Sequence, residues 1–290
     1  SRGLGDVYKR QLAGRGYQLS SANSINIGRL VPQVVYYVYA YAKLLENGEI
    51  ENGEKINVTV PTGNFGNILA AYFAKQMGVP IDKLICASND NKVLYDFFKT
   101  GVYDKNRPFI LTSSPSMDIL ISSNLERLIY LSTGCDAEET KKRMEELSKD
   151  GKYSVTDERR ARMADFVGGY ADQAANAAEI KRLYDETGYM IDTHTGVASC
   201  VYHNYVKETG DTKKTVIAST ASPYKFSRSV MEAIFGSEEG KGEFELIDEM
   251  EKASGVKIPQ AIEEIRKAEI RHNRQCKPEE MEKTVSEILQ

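Results

Sequence analysis

Pro61-Thr62-Gly63-Asn64-Phe65-Gly66-Asn67-Ile68-Leu69 is the stretch on which the reading of this chain turns. A β-branched run, Ile56 to Val60, precedes it, and an apolar run, Ile68 to Met77, follows. The order is strand, small-residue turn, helix. Two glycines allow φ > 0 and let a ligand lie directly against the main chain. The N–H groups of such a turn, with the first turn of the helix behind it, form a concave donor cluster suited to an anion. Two readings stand side by side: a phosphate cradle, or a tight turn that uses glycine for geometry alone.

Outward from the turn, the strand-helix unit repeats. Gly78-Val79-Pro80 stops the helix, and Leu84-Ile85-Cys86-Ala87 reads as a short buried strand. Strand, helix and strand at this spacing make a βαβ crossover and a parallel sheet. Sites in such sheets lie at the carboxyl ends of strands, where the Gly63 turn falls. Thr215-Val216-Ile217-Ala218 is the last buried strand. It runs into the hydroxyl-rich loop Ser219-Thr220-Ala221-Ser222-Pro223-Tyr224-Lys225-Phe226.

Upstream, Ser20 to Arg29 is a loop dense in Ser and Asn that enters a helix near Ile27, with Pro32 tolerable only in a first turn. Asn23, Ser24 and Arg29 either belong to helix capping or present amide, hydroxyl and guanidinium together to an oxyanion. The helix that follows, carrying Val34, Val35, Tyr36, Val38, Tyr39 and Leu44, is apolar nearly all round and is expected to pack on more than one face. Further helices are expected at Val93–Lys99, Ile119–Leu131, Asp136–Ser148, Asp157–Ala164, Asp172–Glu186 and from Asp192 through Val206, with Phe166-Val167-Gly168-Gly169 as a turn or short strand. In the 136–148 helix, Glu139 precedes Arg143 by four residues, the mark of a solvated face. His194 reads as a capping or core histidine. From about Glu243 the chain is helical and charged.

Composition bounds the rest. The chain has 290 residues and a net charge of -4, which gives no reason to expect nucleic acid or anionic membrane as a partner. Four scattered cysteines, Cys86, Cys135, Cys200 and Cys276, fit free thiols in a reducing cytoplasm. The histidines His194, His203 and His272 make no metal-ligand spacing, so no metal is expected. The apolar run Leu30 to Leu45 is shorter than the ~20 residues of a spanning helix. Ser1 to Gln11 has neither helical nor strand periodicity and reads as a non-native leader. The expected division is residues 1–11 as leader, 12–235 as a cofactor-binding catalytic domain and 236–290 as a helical C-terminal extension.

The Asn23, Gly63 and Thr220 loops thus converge beside one parallel sheet. There is no Gly-x-x-x-x-Gly-Lys-Ser/Thr, no Gly-x-Gly-x-x-Gly turn and no Gly-x-Ser-x-Gly elbow. A cofactor that brings its own phosphate and its own chemistry suits such loops better.

In this order the motifs resemble threonine synthase, a pyridoxal 5'-phosphate enzyme of the tryptophan-synthase-β-like fold (fold type II). The resemblance is carried by Asn23-Ser24-Ile25-Asn26, Pro61 to Asn67, Ser114-Pro115-Ser116-Met117-Asp118-Ile119-Leu120, Ser122-Ser123-Asn124-Leu125-Glu126-Arg127, Ile191-Asp192-Thr193-His194-Thr195 and Thr220 to Phe226. It implies an α/β fold with a predominantly parallel sheet flanked by helices, incomplete at the N-terminus. It implies conversion of O-phosphohomoserine and water to threonine and phosphate. By that resemblance Gly63, Asn64, Phe65, Gly66 and Asn67 hold the cofactor phosphate and Thr220 faces the pyridine nitrogen. Asn23, Ser24 and Arg29 match the binders of the substrate phosphate.

Two departures qualify the resemblance. Relatives often carry His-Pro after the Thr-Ala of the last loop, whereas this chain has Ser222-Pro223. The family's Schiff-base lysine, in a Phe-Lys-Asp segment before a Ser/Thr-Gly loop, has no match here, and neither Lys75 nor Lys225 takes its place. The expectation is the C-terminal part of a longer enzyme, with no catalytic lysine in this chain and no activity in isolation. The rivals are a serine/threonine dehydratase, a phospho-amino-acid lyase, and a non-catalytic module that binds a phosphate ligand.

Overall fold

A computed structural model describes residues 13–18, 20, 22–271 and 273–289. The leader-like segment 1–11, Ser21 and His272 lie outside the described residues. The organising element is a four-stranded sheet in the order β5-β2-β1-β6, every pair parallel. Its strands are β1 (Ile56–Pro61), β2 (Ile81–Ser88), β5 (Phe166–Tyr170) and β6 (Thr215–Ile217). In register, Val58 faces Leu84 on one side and Val216 on the other, and Cys86 faces Gly168. A separate antiparallel pair joins β3 (Val102–Asp104) to β4 (Lys152–Ser154), with Tyr103 stacked on Tyr153.

Both faces of the sheet are covered, as a parallel sheet requires. Leu84 and Cys86 of β2 join the cluster formed by α3 (Gly66–Gln76), α4 (Val93–Thr100) and α2 (Val34–Glu46). Ile85 and Ala87, one residue out of phase, join Val197, Ala198 and Val201 of α9 (Thr193–Thr209) on the opposite face. The period-2 alternation therefore serves two cores, and the run reads as continuously apolar. A third cluster carries Ile180 of α8 (Gln173–Thr187), Val230 and Ile234 of α10 (Ser227–Phe235), and Leu246 and Met250 of α11 (Glu243–Ser254). It spans both sides of residue 235. All four cysteines are free thiols, and burial pushes the Cys86 thiol up to about 12.

Three expectations change. First, the apolar helix packs on one side only. It begins as a short α1 (Ile27–Leu30) and a 3-10 turn (Val31–Gln33) before α2. Val34, Tyr37 and Tyr41 are inside, while Val35 and Tyr39 are 63% and 61% exposed. Second, no helix starts at Ile119. A 3-10 turn, Pro115–Met117, is followed by irregular chain with bends and a turn, and then by α5 (Leu125–Ser132). Asp118 is diverted from capping: its carboxylate accepts from the Thr112 N–H and hydroxyl and from the Asn89 and Asn91 amides. The Tyr103 hydroxyl then takes the backbone that a helix would have used, donating to the Leu120 carbonyl and accepting from the Ser122 N–H. Third, β6 is an edge strand and only half-buried. The charged helix does form as α6 (Ala137–Lys149), with Glu139 2.7 Å from Arg143.

One polar joint fastens α9 to the start of β1. Asp211 accepts from the Asn57 amide at 3.0 Å and the Tyr205 hydroxyl at 2.8 Å. Burial raises its pKa, but the hydrogen bonds from Asn57, the Lys213 main chain and Tyr205 outweigh that and hold the carboxyl well below the ordinary carboxylate range. A folded-state pKa below the unfolded value adds stability above about 3.9, and that stability is lost as pH falls through the folded value. Asp211→Asn is expected to lower unfolding free energy at pH 7 by about 1–3 kcal/mol, with the deficit shrinking below pH of about 4. Urea melts at pH 7 and pH 3 check this; an equal deficit at both would rule out the carboxylate as its source.

Candidate functional site

All four parallel strands end at the same side of the sheet, and the segments that leave β1 and β6 there build one cavity. After β1, the Thr62 N–H donates to the Ala87 carbonyl and carries the ladder one residue further. The turn then departs from the expected geometry. Neither Gly63 nor Gly66 has a positive φ; Phe65 does, at φ 65° and ψ 1°. A bulky residue in this region costs on the order of 1–3 kcal/mol. The buried Phe65 ring offsets that cost by packing against Phe98 and Phe166, with centroids 6.1 and 5.5 Å away.

Gly63 is needed for close approach instead. A Cβ there would collide with the Ser116 carbonyl oxygen and lie 3.3 Å from the Met117 Cα. α3 begins at Gly66 with no side chain capping its N-terminus, so the positive end of its dipole faces the cavity with Asn64, Phe65, Gly66 and Asn67 around it.

A framework that motif reading did not single out as functional holds this turn. Asn124, buried and at the start of α5, donates from Nδ2 to the Ser24 carbonyl at 2.8 Å and the Asn64 carbonyl at 2.9 Å. One amide thus ties two cavity loops together. Ser122 donates its hydroxyl to the Gly63 carbonyl at 2.7 Å, and Arg127 donates to the Ile25 carbonyl at 3.0 Å and to Asn124 Oδ1 at 3.1 Å. From the other side, the buried Tyr37 hydroxyl donates to Asn67 Oδ1, and burial pushes the Tyr37 phenol well above its ordinary range. The run Ser122-Ser123-Asn124 lies within the helix expected over Ile119–Leu131, so no local signal marked it as a tie between loops; the structure starts that helix only at Leu125.

The cavity measures about 840 Å³. Ser24 and Arg29 border it from the first loop, Gly63 to Asn67 from the second, and Ser219 and Thr220 from the third, with Ser116, Met117 and His194 between them. Arg29 is the only Lys or Arg among the described lining residues, and no Asp or Glu lines it. Its guanidinium is exposed and lies 3.3 Å from the Ala22 carbonyl. Asn23 does not line the cavity; its Oδ1 accepts from the Ile25 N–H at 3.1 Å and shapes the turn, while Asn26 caps α1. Ser219 and Thr220 are exposed at the end of β6. His194 is buried in the wall, with Asp192 as the cap of α9 beneath it. Lys75 is committed to Asp165 at 2.7 Å, and neither it nor Lys225 is among the lining residues.

Fold and cavity define a class: an α/β protein with an anion-ready helix N-terminus at the carboxyl end of a parallel sheet. Comparison with known proteins narrows it. Residues 195–285 match the family model "Threonine synthase, C-terminal". The chain is 44% identical over 221 residues to human "Threonine synthase-like 1", covering 76% of this chain and 29% of that protein. It is 35% identical over 257 residues to threonine synthase of Saccharomyces cerevisiae, covering 83% of this chain and 49% of that enzyme. Among solved structures, threonine synthase from Brucella melitensis, crystallised with PLP bound, superposes with a TM-score of 0.71 at 33% identity, over 86% of this chain and 54% of that one. Yeast threonine synthase gives 0.72 at 33% identity, over 83% and 50%. By sequence and fold the chain is homologous to the C-terminal portion of the threonine synthases. It spans about half the length of those enzymes, and less than a third of human "Threonine synthase-like 1".

Two substitutions test the architecture of the site. Asn124→Ala removes the shared donor from the Ser24 and Asn64 carbonyls, and is expected to cost about 1–3 kcal/mol of stability in urea unfolding. It should also speed amide exchange in both loops; unchanged exchange would show that Asn124 does not fasten them. Gly63→Ala forces the Ser116 carbonyl aside and is expected to cost about 1–3 kcal/mol by overpacking, read in the same melts.

Proposed function

We propose that the chain is the C-terminal part of a pyridoxal 5'-phosphate enzyme that converts O-phosphohomoserine and water to threonine and phosphate. The observation that carries this reading is the uncapped N-terminus of α3, with the Gly63 turn before it, opening into the same cavity as Arg29 and Thr220. The cradle suits a phosphate monoester: Gly63 lets the turn pack directly on the Ser116 segment, Asn64 to Asn67 border the cavity, and a helix N-terminus favours a dianion. The volume lies within the range of small-molecule sites.

In this reading Gly63, Asn64, Phe65, Gly66 and Asn67 hold the cofactor phosphate through main-chain N–H groups. Thr220 sets a neutral hydroxyl against the ring nitrogen. The bound cofactor supplies an electron sink that no protein side chain offers. Ser24 and Arg29 grip the substrate phosphate, with Asn23 shaping their loop. Arg29 is suited to that task by its fixed charge and planar fork. Phosphate leaving from this position departs towards a cation, with no carboxylate in the wall to repel it.

The covalent anchor for the cofactor belongs, on this proposal, to the preceding part of the enzyme. The exposed apolar stripe of Ile27, Val31, Val35 and Val38 beside the cavity is where that part packs. The length of the relatives and the position of the stripe support this. A cytoplasmic location belongs to the same reading; among the described residues no helix is long and apolar enough to cross a membrane. The higher identity to a protein named threonine synthase-like favours one second reading, a related lyase acting on another phospho-amino acid.

The 290-residue chain alone is expected to release neither threonine nor phosphate from O-phosphohomoserine in the presence of pyridoxal phosphate; turnover would refute the division of labour. In the enzyme encoded by the complete natural gene, Arg29→Ala is expected to raise KM for O-phosphohomoserine by about 10- to 100-fold, the loss of one charge-assisted hydrogen-bond pair. An unchanged KM would sink the assignment of Arg29 to the substrate phosphate.

A further inference from the structure

The buried carboxylate of Asp192 is larger in consequence than a helix cap. Its Oδ1 accepts from the His194 N–H at 2.8 Å, the ordinary capping bond, and also lies 2.9 Å from His194 Nδ1. Its Oδ2 accepts from the Thr195 hydroxyl. Each contact leads on to a different loop of the cavity. His194 Nε2 accepts from the Ser116 N–H at 3.2 Å, and the Ser116 carbonyl is the atom against which Gly63 packs. Thr195 Oγ1 lies 3.3 Å from Ser219 Oγ, next to Thr220.

The direction of the bonds follows from the main chain. A backbone N–H only donates, so Nε2 carries the lone pair and Nδ1 carries the proton that faces Asp192. Asp192 is fully buried, and an ion there is costly unless each oxygen is engaged. Burial raises its pKa, yet the hydrogen bonds from His194 and Thr195 outweigh that and hold the carboxyl below its ordinary range. Capping alone does not account for the arrangement. Asp136 and Asp172 cap their helices through one side-chain contact to a main-chain N–H, with no histidine attached. The His194 ring is fixed as well, 4.7 Å from the Phe226 ring.

We propose that Asp192 and His194 are positioning residues: through Ser116 they set the Gly63 turn, and through Thr195 they set the Ser219–Thr220 loop. The inference rests on the phosphate-cradle reading of that turn. Its two arms predict different losses. Cutting the His194 arm releases the Ser116 segment behind Gly63 and weakens only the grip on a phosphate. Cutting the Thr195 arm releases the Thr220 loop and weakens the grip on the ring, whether or not the ligand carries phosphate.

The probes are 4-deoxypyridoxine 5'-phosphate and 4-deoxypyridoxine, which share a ring, differ by the phosphate and have no aldehyde to react with surface lysines. Their affinities for the full chain are measured by titration calorimetry, beside thermal melts. The wild-type chain should favour the phosphorylated probe. His194→Phe keeps an aromatic ring and loses both side-chain hydrogen bonds, and should shrink that preference by about two- to tenfold, the worth of one lost hydrogen bond of ordinary strength. His194→Gln, which offers an acceptor near the Nε2 position, should restore part of it. Thr195→Val should weaken both probes alike and leave their ratio in place. A general loss of stability would lower both affinities in His194→Phe without changing the ratio, and that result overturns the proposal. If His194→Phe does not fold, His194→Gln and Thr195→Val carry the test, and wild-type behaviour in both overturns it. A wild-type chain that binds the two probes equally refutes the cradle itself, and the positioning role falls with it.

Discussion

The constraint on which the site depends is a contact between two stretches of main chain. The Ser116 carbonyl occupies the space that any side chain at position 63 would need, so the turn after β1 and the segment before α5 meet with nothing between them. That contact fixes where the turn lies, and the turn fixes where α3 begins. Bonds from several directions keep it in place: Ser122 to the Gly63 carbonyl, Asn124 to the Asn64 carbonyl, Tyr37 to Asn67, and the buried ring of Phe65. Each alone is worth roughly 1 kcal/mol or a little more. Together they offset the cost of a left-handed phenylalanine and hold the uncapped start of α3 beside the cavity.

The electrostatics of the cavity are local. The chain carries a net charge of -4, which by itself repels phosphate at long range. The described lining inverts that sign, with Arg29, a helix N-terminus equivalent to roughly half a positive charge, and no carboxylate. Asp192, behind His194, is not among the lining residues, and both of its oxygens accept hydrogen bonds from neutral donors. Global charge therefore bounds the class of macromolecular partner and says little about the small molecule.

Much of the frame was legible because it depends on nearest neighbours in sequence. The strand-turn-helix around Gly63, the parallel crossover to β2 and the caps at Asp136, Asp172 and Asp192 all follow from local patterns. What failed to show depends on distant partners. The glycines were assigned the positive φ because glycine bears it most cheaply; the fold instead assigns it to Phe65, whose ring has aromatic neighbours at positions 98 and 166. The run after Asp118 has a helical composition, yet Tyr103 captures its backbone groups from across the fold. Asn124 fell inside the helix expected over Ile119–Leu131, and only the tertiary structure reveals the two carbonyls it joins. His194 was legible as a buried histidine on a capping segment, but its bond to Ser116, 78 residues away, was not.

The helix beside the cavity shows how a sequence reading and a structure can disagree while both report something physical. Its sequence is apolar nearly all round, which is the pattern of a helix with partners on two sides. Among the described residues one side has partners: Tyr37 and Tyr41 are buried, and Tyr37 reaches the Gly63 turn through Asn67. The other side, Val31, Val35 and Val38, faces outward in a row at helical spacing. A row of branched apolar side chains is an unfavourable surface to leave in water, at about 25 cal/mol for each Å². The same helix that holds Asn67 in place from within thus carries, on its outer face, the apolar surface on which our proposed arrangement seats the remainder of the enzyme. Cofactor phosphate and covering segment then meet across a single helix.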